Sequence, residues 1–228
     1  MDINLEELSL EFSDNVKFDY DLKKKNWFNI GGKTKIYYKA NNLKDLIKFL
    51  KKIKDKEKIF VLSGGSNTLI TDKTYNGVVI KLASNFNNIS LLSDEIIIAG
   101  SAVSDKSLSE FAMNNNIGGF EFLSCIPGTL GGGIKMNAGC FEREFKDILI
   151  SIQAISKSGQ VKTIPAKDIN FEYRDSKLSD DLIFLSASFK GYKKKLETIK
   201  NEIIELKKKK KILNLQELKL VEVLLKTP

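Results

Sequence analysis

Ile126-Pro127-Gly128-Thr129-Leu130-Gly131-Gly132-Gly133-Ile134-Lys135-Met136-Asn137-Ala138-Gly139 carries five glycines in fourteen residues and no acidic group. That density exceeds what a connector between two elements needs, and it points to backbone that must come close to something else. Pro127 fixes the approach, and the glycines after it leave main-chain groups open to close contact. Upstream, an apolar strand Ile59-Phe60-Val61-Leu62 runs into Ser63-Gly64-Gly65-Ser66-Asn67-Thr68. Consecutive glycines there let amides converge on an anion. The chain has neither a Walker motif nor a G-x-G-x-x-G fingerprint, which excludes a P-loop and a standard Rossmann turn. The Ser63–Thr68 loop alone reads equally as a tight turn without a ligand, while for Ile126–Gly139 a ligand-free turn is the lesser alternative. Together they suit a pyrophosphate joined to a flat ring system better than a single phosphate.

Outward from the loops the pattern is α+β and rich in short strands. Alternation in Lys35–Ala40 predicts a strand, and Asn42 then caps a helix whose Leu43, Leu46, Ile47, Leu50 and Ile53 share a face. With Ile59–Leu62 this makes a βαβ-like opening. Further strands are expected at Gly77–Leu82, Glu95–Ala99, Leu149–Ser156, Gly159–Ile164 and Leu182–Lys190, with a helix near Ser107–Asn115. Residues 1–25 read as a short amphipathic lead-in, 26–191 as the main domain with subdomains at about 26–84 and 85–191, and 192–211 as a connecting helix. The stripe Leu196, Ile199, Ile203, Ile204 and Leu206 needs a partner, either the same domain or another one.

Composition bounds the function classes. At 228 residues and 42% hydrophobic content the chain can bury one sizeable core or two small ones. The acidic start Met1-Asp2-Ile3-Asn4-Leu5-Glu6-Glu7 is unlike a secretory signal and no long apolar run exists, so a cytoplasmic protein without membrane insertion is expected. Net charge is +8, but the lysines are scattered and no aromatics interleave with them, so nucleic-acid binding is not expected. Of 37 basic residues only Arg143 and Arg174 are arginine, which hints at a need for the planar fork at those two sites. Cys125 and Cys140 lack metal-type spacing and read as free thiols, with no metal site. The absence of histidine removes imidazole acid–base work and histidyl flavin attachment.

Four blocks resemble the UDP-N-acetylenolpyruvylglucosamine reductases of bacterial cell-wall synthesis. They are Asn29-Ile30-Gly31-Gly32, Leu62–Leu69 with Asp72 and Gly77-Val78-Val79-Ile80, the Gly118–Gly139 block, and Phe171-Glu172-Tyr173-Arg174-Asp175-Ser176. The resemblance implies the FAD-binding fold of the vanillyl-alcohol oxidase and p-cresol methylhydroxylase type, built of two α+β subdomains, with the family's third, substrate domain missing. It implies noncovalent FAD, NADPH as reductant, and hydride transfer to the enolpyruvyl double bond of a UDP-sugar, giving UDP-N-acetylmuramate, by an expected monomer. Arg174 stands at the family's active-site arginine, suited to the negative charge that builds toward the carboxylate. Tyr173 and Ser176 would meet substrate. Gly64, Gly65, Ser66, Asn67, Thr68, Ile126, Pro127, Gly128, Thr129, Gly132, Gly133, Asn137, Ala138 and Gly139 would line the FAD site. Cys125 beside that loop reads as a buried thiol, with a cysteinyl–flavin link as the alternative.

Departure begins after Lys211. The family's third domain supplies a proton-donor serine and a glutamate near the C-terminus, and Ile212–Pro228 matches neither. Codons can be chosen for this tail so that a shifted frame spells Thr-Gln-Pro and, further on, Gly-Ser-Thr-Phe-Lys-Asn-Pro, which resembles the serine motif. A frameshift between Lys207 and Ile212, at the five-lysine run, is therefore expected, together with a poorly packed tail over 212–228 and little or no turnover by this chain alone. The alternatives left open are a catalytically dead FAD-binding module and another flavin oxidoreductase of the same fold.

Overall fold

The structure, a computed structural model, describes residues 5–53 and 57–226, with side chains as far as Asn214. The N-terminal unit is built around the helix α2 (Leu43–Ile53). Asn42 caps it as expected, its Oδ1 accepting from the Asp45 N–H at 2.9 Å while its amide donates to the Asp45 carboxylate at 2.7 Å. Leu46, Phe49, Leu50 and Ile53 recur on one face and are buried. They cover a four-stranded sheet in the order β1 (Val16–Asp21), β2 (Lys33–Ala40), β4 (Tyr75–Leu82), β3 (Ile59–Val61). The pairs β2–β4 and β3–β4 are parallel, so β2, α2 and β3 form the βαβ unit read from the pattern.

The polar segment read as a lead-in contributes to this unit. The helix α1 (Leu5–Phe12) precedes β1, which pairs antiparallel with β2. Leu8, Phe12 and Val16 join the cluster of α2 and the sheet. The Phe12 ring meets Tyr38 and Phe49 edge-on at 5.6 and 5.4 Å, and those two stack on each other at 3.8 Å. The alternation Val16, Phe18, Tyr20 was obscured by charges on the opposite face, Lys17, Asp19 and Asp21.

A second sheet is antiparallel throughout, in the order β11 (Val161–Pro165), β10 (Leu149–Ser156), β12 (Leu182–Lys190), β6 (Ile96–Gly100), β5 (Ile89–Ser93). Most expected strands lie within one or two residues of their observed bounds. The edge strand β5 went unread because Leu91 and Leu92 are both exposed and break its alternation. Helix α3 (Asp105–Asn114) packs over this sheet, starting at Ser104, whose hydroxyl accepts from the Ser107 N–H. Ile155, Ile183 and Leu185 of the second sheet sit in one cluster with Ile36, Leu46 and Ile80, so the two units share core.

After the short strand β13 (Tyr192–Lys193), one continuous helix, α5, runs from Leu196 to Lys226. Ile199 and Ile203 are buried where α5 packs on α3 and on the 3-10 turn Glu121–Cys125. Lys194 ties that junction through ion pairs to Glu121 at 2.9 Å and Glu202 at 2.5 Å. Ile204, Ile212 and Leu213 of the expected stripe and tail are about half exposed, and the side chains of 215–228 lie outside the described residues. No described helix is long and apolar enough to cross a membrane.

Because Phe12 packs edge-on against both Tyr38 and Phe49, Phe12→Ala is expected to cost about 3 kcal/mol of stability, read as a lower urea midpoint at unchanged slope. A change under about 0.5 kcal/mol would return residues 5–21 to the status of a lead-in.

Candidate cofactor site

The two glycine loops converge. Loop one follows β3; loop two follows the Glu121–Cys125 turn and contains a short helix, α4 (Leu130–Lys135). A methyl group at Gly64 would stand 3.1 Å from the Gly128 Cα, so the chains touch backbone to backbone. Ser63 and Thr129 share a short hydroxyl–hydroxyl bond, and the Ser66 hydroxyl donates to the Pro127 carbonyl at 2.9 Å. Asn67 reaches across to the Met136 sulfur at 3.4 Å. Gly65 adopts φ +67°, and a Cβ there would lie 2.3 Å from the Lys25 carbonyl. Among the described residues, the N–H groups of Gly64, Gly65, Ser66, Gly128 and Thr129 take no protein acceptor. Such a group of donors calls for an acceptor from outside the chain.

The later half of loop two is closely packed. Gly133 is required because a Cβ would enter the Phe145 ring at 2.3 Å, and Gly139 because one would meet the Arg143 carbonyl at 2.4 Å. Asn137 is fully buried at φ +40°. Its amide donates to the Glu144 carboxylate at 3.0 Å and the Glu172 carbonyl at 3.2 Å, and its Oδ1 accepts from the Lys146 N–H at 3.1 Å. Ala138 is buried beside it, whereas Ile126, Gly128, Thr129 and Gly132 remain partly open.

Through Glu172, Asn137 also fixes the turn that carries the expected active-site residues. Glu172 and Asp175 pair across it, leaving Tyr173 and Arg174 at its tip. Both are exposed, with the guanidinium 5.7 Å from the Tyr173 ring. Arg174 holds φ +58°, an uncommon backbone conformation for a long side chain. Ser176 is fully buried; its N–H donates to the Lys135 carbonyl and its hydroxyl accepts from the Leu178 N–H. Thus Ser176 supports the turn from below, while Tyr173 and Arg174 face outward.

Several residues not found from the sequence shape the electrostatics. Lys81, on β4 beneath loop one, donates to the Ser63 carbonyl at 3.2 Å. Burial, and then the like charge of Lys25, pull its pKa below the ordinary lysine value, a strain that an anion at the loop relieves. Asp105, at the start of α3, has both carboxylate oxygens buried with no partner among the described residues. One of them lies 3.5 Å from where a Gly128 Cβ would be. Burial pushes the Asp105 carboxyl up to about 7. Beside loop two opens a cleft of about 670 Å³, lined by Trp27, Lys106, Cys125–Gly128, Lys207, Lys210 and Lys211 among others. The lysine run of α5 and the exposed Trp27 gave no local signal, since the lysines reach the cleft by the docking of α5 and Trp27 by its N–H bond to the Gly65 carbonyl at 3.0 Å.

The FAD binding domain family matches residues 34–165. The chain is 65% identical over 206 residues to the UDP-N-acetylenolpyruvoylglucosamine reductase of Pelagibacter ubique, covering 90% of this chain and 68% of that one. It is 45% identical over 181 residues to the reductase of the same name from Rickettsia bellii, covering 79% of this chain and 60% of that one. In fold it resembles the crystal structure of UDP-N-acetylenolpyruvylglucosamine reductase from Thermus caldophilus, with a TM-score of 0.75 at 24% identity, covering 86% of this chain and 68% of that one. Alkyldihydroxyacetonephosphate synthase is also similar, with a TM-score of 0.59 at 13% identity over 83% of this chain and 40% of that one. The fold is therefore α+β and of the vanillyl-alcohol oxidase type of FAD-binding domain.

Between about pH 4 and 7 the folded chain holds a proton on Asp105 that the unfolded chain has already lost. This contribution to stability is therefore complete below pH 4 and disappears as pH rises through 7. Asp105→Asn is expected to raise stability at pH 8 by roughly 2 kcal/mol, with the gain shrinking toward pH 4. Denaturant melts at the two pH values measure this, and an equal effect at both would contradict the assignment.

Proposed function

The chain belongs to the family of UDP-N-acetylenolpyruvoylglucosamine reductases, and on that premise we propose that it holds FAD noncovalently between its two glycine loops and works in NADPH-dependent reduction of the enolpyruvyl UDP-sugar to UDP-N-acetylmuramate. The single observation that carries this reading is the contact of Gly64 with Gly128, with five acceptor-free N–H groups around it. The residues present fit the cofactor. Unpaired donors from both loops suit its pyrophosphate, Lys81 and Lys25 supply positive charge beside loop one, and the adjoining cleft has walls of Ile126, Pro127 and Trp27 for an apolar ring. FAD held there would supply the hydride-transfer chemistry between NADPH and the substrate double bond.

The chain's own groups bind and orient. Gly64, Gly65, Ser66, Gly128 and Thr129 present backbone donors, while Ser63, Asn67 and Met136 hold the loops in register. Arg174 receives the substrate carboxylate, and its guanidinium stabilises negative charge that develops there during reduction. Tyr173 lies against the same ligand from the tip of the turn. Asn137 and Ser176 keep that turn at a fixed distance from loop two. The reaction is assigned to the cytoplasm and to a monomer without a nucleic-acid partner.

Titration of the purified chain with FAD, followed by quenching of flavin fluorescence, is expected to saturate at one FAD per chain. Gly64→Val should weaken binding at least about tenfold while leaving the far-UV circular dichroism unchanged, because its side chain pushes the Gly128 backbone away. A chain that takes up no FAD would overturn the proposal.

A further inference from the structure

Two thiols stand at the two ends of loop two. Cys125 ends the Glu121–Cys125 turn and Cys140 ends β8 (Gly139–Cys140), so the residues between them are the whole loop 126–139. The turn packs against β8, so the two cysteines stand on touching elements, close enough for Cys140 to feel the charge of Cys125. Both cysteines are free. Cys125 is buried and Cys140 only partly so, which leaves Cys140 as the sulfur that a solute can reach first. Lys210 donates to the Cys125 carbonyl, and Lys210 and Arg174 offset only part of the rise that burial causes in the Cys140 pKa. Cys125 also lines the cleft beside loop two, and neither thiol is among the groups placed on the pyrophosphate.

We propose that Cys125 and Cys140 form a reversible disulfide by exchange with a low-molecular-weight disulfide, and that this bond staples together the two ends of the loop that holds the cofactor. The inference rests on the reading of loop two as the FAD loop. In the first step the Cys140 thiol gives its proton to solvent and the thiolate attacks one sulfur of the small disulfide. A mixed disulfide forms and one small thiol leaves, taking a proton. The Cys125 thiolate, its proton likewise released, then attacks the Cys140 sulfur; the protein disulfide forms and the second small thiol leaves with a proton. Two protein thiols and one small disulfide become one protein disulfide and two small thiols, so electrons and protons balance. Burial, reinforced by Cys125, raises the Cys140 pKa above its ordinary value against the pull of Lys210 and Arg174. Exchange therefore quickens as pH rises through the weakly alkaline range.

The test exposes the FAD-loaded chain to oxidised glutathione at pH 8 and reads the product by non-reducing peptide mass mapping and by the rate of FAD release. The expected product has lost two hydrogens, joins the peptides of Cys125 and Cys140, and releases FAD about threefold more slowly, all reversed by dithiothreitol. Cys125→Ser should instead keep one glutathione on Cys140, and Cys140→Ser should react with none. Stable glutathione adducts on the unaltered chain without joined peptides would overturn the proposed pair. Joined peptides with unchanged FAD release would overturn the staple while leaving FAD binding standing. Joined peptides in a chain that holds no FAD would overturn the cofactor reading, and a staple on that cofactor with it, while supporting the disulfide.

Discussion

Everything at the candidate site depends on the approach of two backbones, Gly64 against Gly128, at a separation that a single methyl group would already crowd. Close approach of main chain to main chain is available only where neither residue has a side chain. It is held from both sides by hydroxyl contacts, Ser63 to Thr129 and Ser66 to the Pro127 carbonyl. The consequence is electrostatic as much as steric. Backbone donors from two sequence-distant loops end in one place without acceptors, and the nearby half-buried Lys81 stays below its ordinary pKa. The scaffold thus leaves a deficit of negative charge that the proposed anionic cofactor would remove on binding.

A second constraint passes from this contact to the turn at Tyr173 and Arg174. Asn137 sits at the end of α4, is fully buried, and spends its side chain on Glu144, Glu172 and Lys146. Those bonds fix the Glu172–Asp175 turn relative to loop two, so the position of Arg174 follows from the geometry of that loop. The left-handed backbone at Asn137 and Arg174 is uncommon, and both residues are held by neighbours that restrict alternatives. The proposed cofactor and substrate sites are therefore linked through one buried amide.

The loops, the α2 cap and the long β-strands were legible because each leaves a local signature: glycine density, an Asx cap before an apolar stripe, or alternation over several residues. The contact between the loops was legible only as an inference from their joint presence. Gly133 and Gly139, which the family resemblance put at the cofactor, also make room for the Phe145 ring and the Arg143 carbonyl, a packing need that no local pattern announced. Lys81 and Asp105 left no trace, since a lysine in a strand and an aspartate at a helix start are ordinary until burial removes their water. The same holds for α1 and β1, whose apolar residues are few, widely spaced and surrounded by charge, yet reach the core.

Amide hydrogen exchange with and without saturating FAD addresses the central claim most directly, because it reads the two loops separately and at the backbone. The account predicts that FAD slows exchange in residues 63–68 and in residues 126–133 together, in the same concentration range. Protection confined to one loop, or protection appearing at different FAD concentrations in the two, would contradict a single cofactor site built by their contact.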